Sequence, residues 1–154
     1  MKNACEHFYQ AYLRGDGEAL QLIKTNCPNF RNGSVMSLND VEEKPKFIYN
    51  GKEYLLFEKN QINPKYINFL RGELKKSRII SDKAIGRNTY VHFSITNADS
   101  LNVKIVNVTG DQKDAGIIKQ EIISIFTKSF TYISAKNKGV NVELWEKWSL
   151  PITF

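Results

Sequence analysis

A stretch of strict alternation between apolar and polar residues, at positions 90–96, most constrains the fold of this chain. In an extended strand its apolar members share one face: Val91, Phe93 and Ile95. Turn-forming residues at 97–100 lead into a second alternating run with the apolar residues Leu101, Val103 and Ile105. The pattern predicts an antiparallel pair of strands with one buried face and one exposed face.

A second hairpin is predicted by Asn50 and Gly51, which lie between two short apolar runs. Asn and Gly readily adopt the left-handed conformations that a type I′ turn requires. The flanking runs, 47–49 and 54–57, are therefore expected to pair as antiparallel strands. A final strand is expected at 140–145, after a turn at 137–139.

Three helices are predicted from capping residues and apolar spacing. Residues 4–13 and 18–25 form an amino-terminal pair, with Asp16 as the cap of the second helix. Asn63 and Pro64 open another helix that runs to about Ser77. Segment 115–133 fits both a helix and a strand, and we favour the helix because its isoleucines recur at helical spacing.

These elements predict a single-domain α+β fold over residues 1–154. The expected sheet is mainly antiparallel, with an amino-terminal helix pair and one or two helices packed on one face. A hydrophobic content of 42% in 154 residues is enough for one sizeable core. No apolar run reaches the roughly 18 residues of a membrane-spanning helix, so no membrane partner is expected.

The positive surplus of the chain lies in one segment, 59–87. Eight Lys or Arg residues stand there against two acids, and this difference of +6 equals the net charge of the whole chain. Charge of one sign in one region attracts an anionic partner, either nucleic acid or an acidic protein surface. Six residues form the candidate anion-binding set: Lys65, Arg71, Lys75, Lys76, Arg78 and Arg87. The plain alternative is a helix that exposes charge because its other side is buried.

His92 suggests a catalytic role. It shares the polar face of the predicted strand with Tyr90, and Lys104 lies on the same face of the next strand. An imidazole can deprotonate the 2′-hydroxyl of RNA, and a cation can stabilise charge on the phosphate. The hypothesis is a metal-free ribonuclease with His92, Tyr90 and Lys104 as catalytic residues, and the alternative is a solvated face without activity.

The sequence lacks the motifs of metal-dependent and nucleotide-dependent chemistry. It contains no H-E-x-x-H, no carboxylate-rich loop and no glycine-rich phosphate-binding loop. We therefore expect neither a metal nor a cofactor.

Two cysteines, Cys5 and Cys27, lie outside any zinc-binding spacing. Buried thiols are the simplest interpretation, and a disulfide is feasible if two amino-terminal helices pack together. The first residues lack the apolar run of a secretory signal, so a cytoplasmic location is expected. Near the other end, Trp145 and Trp148 suit core packing or a homodimer contact.

One segment resembles the opening helices of the ketosteroid-isomerase and polyketide-cyclase superfamily: residues 7–20, HFYQAYLRGDGEAL. The shared pattern is an aromatic-rich helix, a Gly-Asp break and a second short helix. The resemblance implies a cone-shaped, cystatin-like α+β fold, whose members include enzymes, ligand binders and non-catalytic assembly domains. That family closes with strands, so a helix at 115–133 would depart from its pattern.

Two functions follow from these observations. The first is a small cytoplasmic protein whose cationic surface binds nucleic acid or an acidic protein surface, with ribonuclease activity as its enzymatic extension. The second is a non-enzymatic cone-fold module that binds a small apolar ligand or a partner protein.

Overall fold

A computed structural model describes residues 2–27 and 35–154 of the chain. Five α-helices lie in these ranges: α1 (Lys2–Leu13), α2 (Gly17–Asn26), α3 (Pro64–Lys76), α4 (Arg78–Lys83) and α5 (Ala115–Lys128). Twelve strands lie in the same ranges: β1 (Val35–Met36), β2 (Lys46–Tyr49), β3 (Lys52–Leu55), β4 (Phe57–Glu58), β5 (Gln61–Ile62), β6 (Asn88–Ile95), β7 (Leu101–Val106), β8 (Thr131–Ile133), β9 (Lys136–Asn137), β10 (Val140–Asn141), β11 (Glu143–Leu144) and β12 (Trp148–Thr153). The predicted α+β class, with mainly antiparallel sheets, is confirmed. None of these helices is long and apolar enough to cross a membrane.

The longest ladder is an antiparallel sheet in the order β12-β6-β7. Its register places Ser149 and Lys104 directly opposite His92, on either side. The predicted alternation is confirmed, because one face is buried, at Val91, Phe93 and Ile95. Helix α5 packs against β7 and also contacts α3 and α4, so these helices lie on one side of the sheet.

A second antiparallel sheet has the order β3-β2-β8. Asn50 and Gly51 adopt φ angles of 50° and 78° between β2 and β3, which confirms the predicted Asn-Gly turn. Residues 115–133 divide between the two predicted structures, because α5 ends at Lys128 and β8 follows at Thr131. The favoured helix is therefore confirmed for the larger part of the segment.

The amino-terminal helix pair is also confirmed, and Asp16 accepts a hydrogen bond from the Glu18 N–H at the start of α2. The interpretation of the two cysteines as buried thiols is wrong, because Cys5 and Cys27 form a disulfide between α1 and the end of α2. The packing of the two helices brings the Cα atoms to 6.1 Å, within the range that a disulfide spans.

Several short elements depart from the predictions. The sequence predicted no element at Val35–Met36, where the structure has β1, which pairs in parallel with β11. The strand expected at 140–145 is split into β10 and β11, and it is not the last one because β12 follows. Trp145 is buried in a small core with the disulfide, and Trp148 stacks on Phe57 at 4.1 Å, so both tryptophans take part in core packing.

Candidate functional site

A groove of about 490 Å³ lies between helices α3 and α4 and strand β12. Its α3 wall is formed by Ile67, Leu70, Arg71, Leu74 and Lys75. The opposite wall consists of five consecutive residues, 150–154. Successive side chains of a strand point to opposite faces of the sheet, so a groove that contacts all five residues runs along the strand edge.

Helix α3 is positioned by its buried cap, Asn63. The Asn63 side chain accepts a hydrogen bond from the Lys65 N–H at 3.0 Å and donates one to the Leu55 carbonyl at 2.7 Å. Tyr66, Leu70 and Leu74 then bury one side of the helix. The flank beside this buried side carries Arg71 and Lys75, which are one turn apart and exposed at the groove.

Helix α4 contributes Ile80 and Ser81 to the groove lining. Ser77 caps it by accepting a hydrogen bond from the Ile80 N–H, and donates its hydroxyl proton to Glu121 of α5. Ile80 is thereby buried, whereas Ile85, just beyond the helix, lines the groove with 70% of its surface exposed. Ile85 therefore adds exposed apolar surface to the groove.

The six candidate anion-binding residues are all at least partly exposed, but they do not form a single group. At about 100° per residue, Lys65 and Lys76 lie on a different flank of α3, roughly 110° from Arg71 and Lys75. The Lys65 ammonium lies 5.5 Å from the centre of the Tyr54 ring. The Lys76 ammonium pairs with Glu73 at 3.3 Å. Arg71 and Lys75 are therefore the two α3 cations that face the groove.

The two remaining residues of this set lie outside the groove lining. Arg78 begins α4 and is exposed. The Arg87 guanidinium donates a hydrogen bond to the Asp111 carbonyl at 2.6 Å, and its aliphatic part lies beside Gly110. Arg87 therefore stabilises the loop before α5.

Glu73 breaks the apolar pattern of α3 and is explained by its partners. It accepts a hydrogen bond from the Tyr49 hydroxyl at 2.6 Å, in addition to its contact with Lys76. The Tyr49 hydrogen bond is the main cause that lowers the pKa of the Glu73 carboxyl below its usual value, and the nearby carboxylate raises the pKa of Tyr49. Glu73 thus connects α3 to the β2–β3 hairpin as a carboxylate.

The residues of the ribonuclease hypothesis lie together on the exposed face of the sheet β12-β6-β7. His92 is opposite Lys104, and Tyr90 lies two residues away on the same face with 56% exposure. Nδ1 of His92 is 2.5 Å from the Ser149 hydroxyl, a hydrogen bond that the sequence did not indicate. Catalysis by these residues stays a prediction.

The sequence analysis predicted no strand at 148–153, where the structure has β12. The signal was present, because Trp148, Leu150, Ile152 and Phe154 alternate with polar or small residues. Pro151 hides it, since proline is a poor residue for the interior of a sheet. At a sheet edge proline is tolerated, and β12 is an edge strand.

Comparison with known proteins adds no information about function. No protein-family model, no curated protein and no solved structure matches the chain. The resemblance of residues 7–20 to the ketosteroid-isomerase superfamily stays a prediction. In residues 2–27 and 35–154, no group of three or more His, Cys, Asp or Glu side chains could hold a metal ion.

Proposed function

We propose that this chain binds an extended, acidic segment of a partner protein along strand β12. The segment would add a further strand to the sheet β12-β6-β7. The observation that supports this most is the groove, which runs between a helix and consecutive residues of an edge strand. In peptide recognition by strand addition, main-chain hydrogen bonds provide affinity and pockets for alternate side chains provide specificity.

Backbone groups suited to strand addition lie on the outer edge of β12. In an antiparallel ladder, alternate residues direct both their N–H and C=O groups toward the same neighbour. Phe154 donates to the Arg87 carbonyl and accepts from the Gly86 N–H, so residues 150, 152 and 154 face β6. Ser149 and Thr153 therefore direct an N–H and a C=O group away from the sheet, and Pro151, which has no N–H, directs only its C=O group outward. Within the described ranges no other strand pairs with this edge.

Apolar side chains of the added segment would pack against α3 and α4. Ile67 and Ile85 are partly or largely exposed at the groove, and Leu70 and Leu74 form deeper parts of its wall. The volume of about 490 Å³ lies within the range of sites that enclose ligand groups in proteins. The groove can therefore accept one or two apolar side chains that alternate along an extended segment.

Charge at the groove favours an acidic segment. Arg71 and Lys75 contribute two positive charges to its lining, and its other residues are uncharged side chains. Complementary charge accelerates association and disfavours basic partners. The apolar residues that line the groove together with the two cations suit a peptide better than a phosphate backbone, which would leave those residues uncovered.

The Cys5–Cys27 disulfide indicates in which compartment the protein would bind such a partner. Disulfides persist in oxidising compartments and are rare in the cytosol. The cytoplasmic location expected from the first residues stays a prediction, and the Cys5–Cys27 bond favours an oxidising compartment instead.

The test is selection from a displayed library of short random peptides, followed by affinity measurements on the enriched peptides. We expect enriched sequences to combine acidic residues with alternating apolar ones. The double variant Arg71→Glu/Lys75→Glu should weaken their binding about tenfold or more, because it places repulsive charge in the groove. The matched control is Lys65→Glu/Lys76→Glu, which makes the same charge change on the other flank of α3.

Three outcomes would contradict the proposal. Equal losses in both double variants would mean that the peptides respond only to net charge. Tighter binding of single-stranded RNA than of any selected peptide, with Lys65 and Lys76 as the sensitive pair, would instead support the nucleic-acid interpretation. A binding site for a small apolar molecule would appear as competition by that molecule without protection of the β12 edge.

A further inference from the structure

A second cavity, of about 280 Å³, lies where helix α1 covers one end of the sheet β12-β6-β7. Ser94 of β6 and Asn102 of β7 are directly opposite each other in the sheet register. Both therefore point from the same face of the sheet, and both line the cavity. The opposite wall comes from Tyr9 and Tyr12 of α1 and from Trp145, which follows β11.

Three polar side chains of the cavity lining are Ser94, Asn102 and Glu143. The side chains of Ser94, Asn102 and Glu143 form no hydrogen bond or ion pair within the part of the chain that the structure describes. Glu143 is only partly exposed and lines the cavity. Together a hydroxyl, a carboxamide and a carboxylate offer both donors and acceptors at one place.

The aromatic side chains complete the wall with apolar surface and one further hydroxyl. The rings of Tyr9 and Tyr12 meet Trp145 edge-on, with centroids 5.5 and 5.9 Å apart. Burial is the main cause that raises the pKa of Tyr12 to about 12, so its hydroxyl remains protonated and can donate. The Lys147 ammonium lies 5.3 Å from the centre of the Tyr12 ring.

The charge of this cavity differs from that of the groove beside β12. One carboxylate, Glu143, and one ammonium, Lys147, line it, so the formal charges cancel. A ligand with a net charge therefore gains little, whereas a neutral ligand rich in hydroxyl groups can use both donors and acceptors. The volume is slightly below the usual range for drug-sized ligands, which suits a single ring.

We propose that the cavity between α1, β11 and the end of the β6–β7 hairpin binds one neutral sugar residue. Asn102 and Glu143 would hydrogen-bond adjacent hydroxyls, and Ser94 would contact a third. The C–H face of the sugar ring would pack on the tyrosine side of the cavity, where apolar surface and a polar tip occur together. This site is separate from the groove, so it does not depend on the proposed peptide binding.

The test is titration of the ¹⁵N-labelled protein with glucose, galactose and N-acetylglucosamine, followed by two-dimensional NMR. At least one sugar should give saturable shifts of the Ser94 and Asn102 amides. Asn102→Ala and Glu143→Gln should each raise the Kd about tenfold, since each removes or weakens a hydrogen bond to a hydroxyl. Asn88→Ala is the matched control, because it makes the same chemical change as Asn102→Ala on the same face of the sheet but outside the cavity, and it should leave the Kd unchanged.

The spectra of the variants themselves report whether the fold is retained, and Glu143→Gln preserves the size of the side chain. A Kd that neither Asn102→Ala nor Glu143→Gln changes would overturn the proposal. So would the absence of shifts at the Ser94 and Asn102 amides with all three sugars. Stronger shifts with glycine than with any sugar would also overturn it, because they would assign the cavity to a zwitterion held by Glu143 and Lys147.

Discussion

At the scale of single residues, Glu73 shows how a side chain that breaks a pattern can be explained by its partners. It lies toward the apolar half of α3, where a carboxylate would be costly without compensation. The Tyr49 hydroxyl and the Lys76 ammonium supply that compensation. The sequence alone does not show this contact, because Tyr49 lies 24 positions before Glu73, in the β2–β3 hairpin.

We expect Tyr49→Phe to lower the free energy of unfolding by about 1 kcal/mol at neutral pH, because it removes a hydrogen bond to a carboxylate. The pKa of Glu73 is lower in the folded protein than in the unfolded chain. The ionised Glu73 therefore stabilises the fold above the pKa of the unfolded chain, and this stabilisation is lost as the pH falls through the pKa of the folded protein. The difference from the wild type should therefore shrink below about pH 4. Urea unfolding at several pH values measures this difference.

The control is Tyr54→Phe, which makes the same chemical change at a hairpin tyrosine with no carboxylate partner in the described chain. It should leave the stability nearly unchanged at every pH. A pH-independent loss in Tyr49→Phe would contradict the assigned cause of the Glu73 shift.

At the scale of elements, the position of α3 depends on its buried cap. Asn63 is 2% exposed and satisfies both the Lys65 N–H and the Leu55 carbonyl. Asn63→Ala should cost about 2 kcal/mol of unfolding free energy, since it leaves buried polar groups unpaired. Asp16→Ala, at the exposed cap of α2, should cost about 1 kcal/mol or less. Equal losses in thermal or urea unfolding would contradict this account.

The disulfide is the second element-scale prediction. Cys5 and Cys27 are separated by 22 positions, and closure of such a loop restricts the unfolded chain. The double variant Cys5→Ser/Cys27→Ser should lose about 3 kcal/mol of unfolding free energy. The oxidised protein should not react with a thiol reagent even when denatured. Two reactive thiols in protein prepared under oxidising conditions would show that the bond does not form.

The sequence predicted elements that have local signals better than elements that depend on contacts between distant segments. Helix α3 and strands β6 and β7 were predictable because their caps, turns and apolar periods are local signals. The parallel pair of β1 and β11 is too short to have a period and is set by a contact between distant segments. Strand β12 was missed because Pro151 is acceptable only at an edge, and its place in the sheet order is a tertiary property.

At the scale of the whole molecule, the groove is assembled from segments 67–75, 80–85 and 150–154. The cationic segment was visible in the sequence, but only tertiary structure separates Arg71 and Lys75 from Lys65 and Lys76. The apolar lining and the strand edge were not visible as a site, because neither local periodicity nor charge indicates which elements become neighbours. The candidate site could therefore be predicted only in part, through two of its cations.

The most direct test of strand addition is amide hydrogen exchange measured by NMR, with and without a selected acidic peptide. Binding should slow exchange at Ser149 and Thr153, whose N–H groups point outward, and leave Leu150 and Ile152 little changed because β6 already protects them. Unchanged exchange at Ser149 and Thr153 in the saturated complex, or new protection at the β7 edge instead, would contradict the account.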